Sequence, residues 1–547
     1  MVTTGALQPE TRAGVSAERE PGPARKRAAA AAAYALAGAV LFLVYLRLAM
    51  TVEENSDMAN ILFMGSDLLH GNLLLHGWHT SDVSFYTTEL PQFAALESFL
   101  GAGWRTARVA AAMTYTLTFL LAVALARGGL TRRRAMLATL IVGGIMLAPE
   151  WNQGVFALLV AVGHIGTAVP LLLAFLLLDR GGRRWWVAPG VGIVLAWALV
   201  ADPLVLIAGV LPIGLIAAGR LAVGRRRREF SRHELALTLA MVAAPIAAWV
   251  AERLLAALGG YIEPPFASTL EPLRVIRANA RLVLWYLLQL FGADWRGLHG
   301  PSLWLALLHL ASVVLIIAAV LLVARRFFSG ASRVDQALLV AVACIAGGAV
   351  LTVAGTGGAH EIAPILPLSA ALAARALAGR AHGGRTQQPP PVPLPARRWV
   401  AVPAAVAAVL AVAYVASLGL SAARPVRPAP YSWLATWLAA HHLDNGLADY
   451  WLAGSVTADT GGAISVRPVL PFAHEDPWMA NQAWYDPARS YANFLILDTY
   501  SNDPRQWTQR VVTREFGRPA RIYRTQGLTI LVWNENLIAR VVPTGQK

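Results

Sequence analysis

"TVEENSDMANILFMGSDLLHGN", residues 51–72, follows directly on a long apolar run and carries Glu53, Glu54, Asp57 and Asp67. Its surroundings make these acids conspicuous. The chain of 547 residues is 56% hydrophobic and only 14% charged, against roughly 25% charged in soluble domains. Its mean hydropathy is +0.52. Such a composition belongs to a polytopic helical membrane protein.

A membrane span needs about 20 apolar residues, fewer where neighbouring helices shelter it. The run ahead of the quoted stretch, 28–50, meets this length and lacks a small-residue cleavage site, so it reads as a retained helix. Further runs lie at 106–126, 135–149, 154–178, 187–201, 203–219, 234–256, 302–324, 335–355, 361–379 and 399–420, about 11 spans in all. With the N-terminus in the cytoplasm, the basic runs at 25–27, 132–134, 183–184, 225–228, 325–326 and 397–398 all fall in cytoplasmic segments. That distribution is the positive-inside bias, and it explains the net charge of +15 through membrane lipids. No recognition module accompanies the runs, so nucleic acid is not a partner. Residues 1–27 read as a disordered cytoplasmic N-terminus, and 28–420 as the membrane domain. The segments 51–105 and 257–301 are expected to be external loops.

In the first loop there is no Lys or Arg between Arg47 and Arg105, while Glu53, Glu54, Asp57, Asp67, Asp82, Glu89 and Glu97 accumulate. Acids contribute little to orientation, so topology does not require this enrichment. Met58, Ile61, Leu62, Leu68 and Leu69 recur at helical steps. The spacing predicts an interfacial amphipathic helix whose other face, with Asp57, Asn60, Met64 and Asp67, turns to a cavity. The second loop runs against the positive-inside bias, with Arg274, Arg277 and Arg281 at helical spacing. Guanidinium groups pair with phosphate, so these arginines are candidate anion binders.

Other polar residues compete for attention. His76, His79 and Asp82 stand at three-residue steps with His70 nearby, a set that could hold a divalent metal with Asp57 or Glu150. The sequence demands no other cofactor. Asp202 precedes Pro203 and reads either as a cavity acid or as a turn initiator. His164 falls inside the span 154–178 and reads as a satisfied core histidine. "HEIAP" (360–364) lacks the second histidine of a zinc-protease helix, and no phosphate-binding glycine loop argues for an ATP-driven pump. The single cysteine, Cys344, excludes an intrachain disulfide.

After the Pro-rich "SAARPVRPAP" (421–430), residues 421–547 change character. "YSWLATWLAAHHL" reads as a helix, "AISVRPVL" and "NFLILDT" as strands, and "DPRQWTQRVVTREFG" as a helix starting at Asp503-Pro504. "ARIYRT" and "LTILVWN" read as a closing hairpin around Gln526-Gly527. The segment is expected to be an extracytoplasmic α/β domain with its own core. Its many tryptophans suit saccharide stacking, though structural aromatics in a small core account for them as well.

This organisation resembles the GT-C glycosyltransferases, membrane enzymes that use polyprenyl-phosphate-linked sugars, such as protein mannosyltransferases and aminoarabinose transferases. The resemblance rests on one N-terminal span, a long external loop opening on an acidic helix, short paired spans and an external closing domain. It implies a catalytic base at Asp57 in "EENSDMAN", with Glu54 as the nearest substitute. It further implies a second acid at Glu150 in "APEWNQG" and donor-phosphate binding by Arg274, Arg277 and Arg281. Many relatives carry Arg-Tyr before a proline in a late span, where this chain has His360 and Glu361 in "GGAHEIAPILP". Asp67, His79, Asp82, Asp202, His360 and Glu361 are candidate cavity residues.

The chemistry agrees with that assignment. Transfer from a lipid phosphate needs a base for an acceptor hydroxyl and cations for the departing phosphate. A carboxylate near a low-dielectric interface has a raised pKa, which suits a base. The acceptor can be a cell-wall glycan, a lipid or a protein. The rival readings are a lipid-linked saccharide transporter or flippase, and a non-catalytic cell-envelope protein. The last expects Asp57, Glu150 and Arg274–Arg281 not to converge.

Overall fold

A computed structural model describes residues 23–149, 153–160, 162–264, 269–352, 357–379, 398–498 and 508–543. Glu150, a candidate acid, lies outside the described residues, as does the expected helix start at Asp503-Pro504.

The body is a helical membrane domain. Helix α1 (Pro23–Ala49) leads into α2 (Ser56–Leu69), and α3 (Glu89–Leu100) follows the long loop. Then come α4 (Trp104–Arg127), α5 (Arg132–Met146), α6 (Gln153–Leu159), α7 (Ala168–Arg180) and α8 (Val187–Leu199). A π-helical turn at Leu206–Val210 opens α9 (Leu211–Arg226), followed by α10 (Arg232–Ala257) and α11 (Leu273–Leu290). The body closes with α12 (Pro301–Arg325), α13 (Arg333–Leu351), α14 (Ile365–Leu377) and α15 (Arg398–Ala422). Among the described residues, six helical stretches are long and apolar enough to cross a membrane: Ala31–Ala49, Trp104–Arg127, Leu206–Arg226, Arg232–Ala257, Pro301–Arg325 and Arg333–Leu351.

The expected span 154–178 is instead two helices, α6 and α7, joined by a non-helical stretch that contains His164. Gly163, at φ +151°, falls in this stretch, and with the helix interrupted His164 meets Asp202 and Glu361. Deeper in the body, α14 buries Arg375, whose guanidinium meets Asp335, Asp179 at 3.0 Å and the Leu125 carbonyl at 3.1 Å. A buried charge so fully paired ties α4, α7, α13 and α14 together at one point.

The C-terminal unit is α/β. Helices α16 (Ser432–Ala440), α17 (Tyr450–Asp459) and α18 (Gln509–Phe516) accompany eight short strands, numbered from the first loop onward. These are β1 (Trp78–His79), β2 (Asn445–Ala448), β3 (Ser465–Leu470), β4 (His474–Glu475), β5 (Ala480–Asn481), β6 (Phe494–Asp498), β7 (Arg521–Thr525) and β8 (Leu528–Val532). The main sheet has the order β4-β3-β2-β6-β8-β7, with β2 parallel to β3 and β6. The strands read from "AISVRPVL", "NFLILDT" and the "ARIYRT"/"LTILVWN" hairpin form within those segments, as β3, β6, β7 and β8. Strand β2 and helix α17 were missed, because "NGLADYWLAGSVTAD" mixes Gly and Asp into both. Helix α18 starts at a cap on Thr508, whose side chain accepts the Val511 N–H.

The first loop and the C-terminal unit are stitched into one surface. Strand β1 pairs antiparallel with β5, and the Gln482 N–H donates to the Gly77 carbonyl at 2.8 Å. The loop after α10 joins them: Thr80 N–H donates to Ile262 O at 2.9 Å, and Ile262 N–H to Trp78 O at 2.8 Å.

Candidate active site

Helix α2 begins where Asn55, in extended conformation, accepts the Met58 N–H at 3.1 Å. This cap satisfies an orphan donor and sets Asp57 in the first turn, where the helix dipole favours a negative charge. The helix does not lie free in an interface as its periodicity suggests. Asn60 and Met64, expected on the cavity face, are buried with Met58, Ile61 and Leu62, because α3 and α17 both pack on the helix. The approach is close: a Cβ at Gly454 would sit 2.9 Å from Ser56 Oγ. The Ser56 hydroxyl donates to the Trp451 carbonyl at 2.7 Å. Burying Met58, Ile61, Leu62 and Met64 contributes about 1.5–3 kcal/mol each, shared between the contacts of α2 with α3 and with α17.

Helix α17 carries its own cap. Asp449 accepts the N–H groups of Trp451 at 3.0 Å and Leu452 at 3.3 Å, which makes Tyr450 the first helical residue. Its hydroxyl donates to Asp57 Oδ1 at 2.5 Å. Burial pushes the Asp57 carboxyl above the ordinary carboxylate range, and the Tyr450 hydrogen bond opposes that rise.

Asp57 lines a cavity of about 1260 Å³, shared by the body, the first loop and the C-terminal unit. Of the other candidates, Glu54, His79, Asp82, His360 and Glu361 also line it. Glu54 is buried in an ion pair with Arg108, near the start of α4. Burial raises the Asp82 carboxyl, and the negative charge of Glu361 adds to the rise.

The far wall is organised by His164, which lines the cavity and is not the core histidine its sequence neighbours suggest. Its Nδ1 lies 2.7 Å from Asp202 Oδ2, and its Nε2 lies 3.1 Å from Glu361 Oε2. Two carboxylate partners are both satisfied as acceptors only by the doubly protonated ring. His360 Nε2 sits 3.3 Å from the other Glu361 oxygen. Both Glu361 oxygens are thus engaged, one by His164 and the other by His360. Gly358, at φ +155°, leaves room for this ring, since a Cβ there would meet the imidazole at 2.8 Å. Asp202 is the turn initiator the sequence allowed, accepting the Leu204 N–H through Oδ1 at 2.8 Å, but as a cavity acid it fails: it is buried behind His164, from which it accepts, and does not line the cavity.

Two further expectations fail on geometry. Asp67 does not line the cavity; it accepts the Trp78 indole N–H at 2.7 Å and the Asn481 amide at 3.5 Å, holding the loop to the C-terminal unit. Arg274, Arg277 and Arg281 are exposed on α11 and are not among the cavity-lining residues. Helical spacing put them on one face, but that face is turned outwards while Asn279 and Val283 are buried. The arginine on the cavity wall is Arg427, from the Pro-rich tether, with Nη1 2.6 Å from Glu53 Oε2. Its backbone N–H donates to Met50 O at 2.9 Å, and Arg108 donates to its carbonyl at 3.3 Å. Nothing in the sequence pattern pointed to it.

The histidine set does not assemble for a metal. His76 Nδ1 is 2.5 Å from the Gly259 carbonyl, and His79 Nε2 accepts from the Gln482 amide at 2.8 Å. Among the described residues, no group of three or more His, Cys, Asp or Glu side chains is placed to hold a metal ion.

With the geometry established, comparison with solved structures identifies the architecture. ArnT from Cupriavidus metallidurans bound to undecaprenyl phosphate matches at a TM-score of 0.53 and 13% identity, over 94% of this chain and 99% of that one. The chain has the GT-C fold. Weaker matches are the Archaeoglobus fulgidus oligosaccharyltransferase in the apo form (TM-score 0.43, 13% identity, 85% of this chain and 69% of that one) and the arabinofuranosyltransferase AftD from Mycobacteria (TM-score 0.37, 16% identity, 92% and 40%). No family model and no curated protein sequence matches the chain. In this chain the cavity lies where α2, the His164 wall and the C-terminal unit meet.

Proposed function

We propose that this protein is a membrane glycosyltransferase that moves a sugar from a polyprenyl-phosphate donor to a hydroxyl acceptor, with Asp57 as general base, on the external face. The observation that carries the reading is the hydroxyl of Tyr450 resting 2.5 Å from the Asp57 carboxylate inside the cavity. An acceptor hydroxyl in the same position would be within proton-transfer distance. The ArnT structure with undecaprenyl phosphate makes a polyprenyl-phosphate donor the natural one to test first.

In the proposed step Asp57 takes the acceptor hydroxyl proton as that oxygen bonds to the anomeric carbon. The bond from that carbon to the phosphate oxygen breaks, and polyprenyl phosphate leaves with the electron pair. A single displacement inverts the anomeric centre. Negative charge grows on the leaving phosphate, and Arg427, backed by Arg108, is the cation best placed to meet it. The salt-bridged His164–Glu361 wall keeps a fixed charge pattern opposite the base.

The test offers purified protein a panel of polyprenyl-phosphate pentoses and hexoses and measures release of polyprenyl phosphate, comparing wild type with Asp57→Asn. Turnover confined to wild type supports the reading. Equal turnover in both removes Asp57 from the role of base.

A further inference from the structure

The C-terminal unit contributes two tryptophans to the cavity that its own core does not use. Trp451 is 55% exposed and Trp478 41% exposed, and both line the cavity that holds Asp57. Phe494, Phe516 and Trp533 of the same unit are buried. Indole rings anchoring a protein in a membrane interface face lipid, whereas these two face a cavity walled by carboxylates.

Their placement follows from two contacts of one hydroxyl. Tyr450 Oη lies 2.5 Å from Asp57 Oδ1 and 3.3 Å from Met479 Sδ. Trp451 and Trp478 are the chain neighbours of Tyr450 and Met479, so two separate segments bring a tryptophan to the cavity that holds the carboxylate. Both backbones are held in place. Ser56 fixes the Trp451 carbonyl, and Asp476 Oδ1 accepts the Trp478 backbone N–H at 3.1 Å. The Tyr450 ring meets the Trp451 ring edge to face at 5.1 Å.

Flat apolar faces beside hydrogen-bond acceptors are what a sugar ring needs, since its C–H face stacks while its hydroxyls donate outward. Charge then selects among sugars. Glu53, Glu54, Asp57, Asp82, Glu361 and Asp476 line the cavity with Arg427 and His164; Arg427 pairs with Glu53 and His164 with Glu361, so the acids outnumber the cations. A phosphorylated or uronic-acid acceptor would be repelled by that wall.

We propose that Trp451 and Trp478 form a subsite for an uncharged saccharide acceptor, which rests on the indoles and presents a hydroxyl to Asp57 in place of that of Tyr450. The inference rests on Asp57 as base and adds the class of acceptor.

The experiment reads binding without turnover. Full-length protein in lipid nanodiscs is titrated with linear hexasaccharides of glucose, mannose and arabinose, and with a trigalacturonate as the anionic probe. Intrinsic fluorescence and saturation-transfer NMR report Kd. At least one uncharged hexasaccharide is expected to bind and trigalacturonate is not. Trp451→Ala and Trp478→Ala each weaken binding about tenfold or more, Trp451→Phe and Trp478→Phe recover part of it, and Trp185→Ala, at a position 85% exposed outside the cavity, changes nothing. The subsite is overturned if no uncharged hexasaccharide binds, if trigalacturonate binds as well, or if Kd is indifferent to both tryptophans. Because no donor is present, a failure of donor turnover with this binding intact strikes the catalytic reading and leaves the subsite standing.

Discussion

The Tyr450 hydroxyl donates to Asp57 Oδ1 at 2.5 Å across 393 positions of sequence. This bond joins the first turn of α2 to the first turn of α17, and so makes the C-terminal unit part of the cavity floor. It also presents Asp57 with a hydroxyl before any acceptor arrives.

Asp57→Asn keeps the size and the hydrogen bond from Tyr450 but removes the base. Transfer is expected to fall about 10²–10⁴-fold, with little change in thermal stability. Initial rates of polyprenyl phosphate release, together with a melting curve in detergent, check both halves.

Tyr450→Phe acts on the pH profile. Burial raises the Asp57 pKa and the Tyr450 hydrogen bond lowers it, so losing the bond raises it further. The base works as the carboxylate, so activity is present above this pKa and lost as pH falls through it. The acid limb of kcat/KM therefore moves to higher pH in Tyr450→Phe, while the alkaline side keeps more of the wild-type rate. A variant profile superimposable on wild type would remove the coupling.

Arg427→Ala is expected to raise donor KM about tenfold, the cost of one charge-assisted contact of about 1.5–3 kcal/mol reduced by solvent at its exposed guanidinium. The triple variant Arg274→Ala/Arg277→Ala/Arg281→Ala, exposed on α11, is expected to change donor KM less. Steady-state kinetics at fixed acceptor concentration decides between them, and a larger effect in the triple variant would return the phosphate to α11.

Arg375→Met leaves Asp335 and Asp179 without their shared cation. Breaking a buried pair in this way costs about 3–5 kcal/mol, so a marked drop in melting temperature is expected. Wild-type-like melting would show that the body tolerates uncompensated acids there.

Removing His164 tests the far wall. His164→Ala leaves Asp202 and Glu361 without the ring they share, and breaking a buried pair in this way is destabilising, so a lower melting temperature is expected. Wild-type-like melting would show that the wall tolerates the loss.

Much of this was legible in the sequence because membrane burial is a local constraint. Apolar length marks the helices of the body, arginine runs mark their ends, and alternation and turn residues mark β3, β6 and the β7–β8 hairpin. Asp57 stood out for the same kind of reason, as a carboxylate just past a span, where charge has a cost. What the pattern could not supply was the company each residue keeps. Arg274, Arg277 and Arg281 share a helix face by periodicity, but which way that face turns depends on how α11 packs, and it turns outwards. His164 looked like a core residue because apolar neighbours surround it in sequence; its partners Asp202 and Glu361 come from distant segments. Tyr450, Trp451 and Arg427 belong to a tail and a tether with no local mark of function. They reach the cavity that holds Asp57 only because α17 packs on α2, where a glycine at 454 permits the approach to Ser56. Hydrophobic spacing and charge thus determined the elements and one carboxylate, while the close packing of elements hundreds of residues apart decided the cavity, since hydrogen bonds and ion pairs form only where folding brings the partners within about 3 Å.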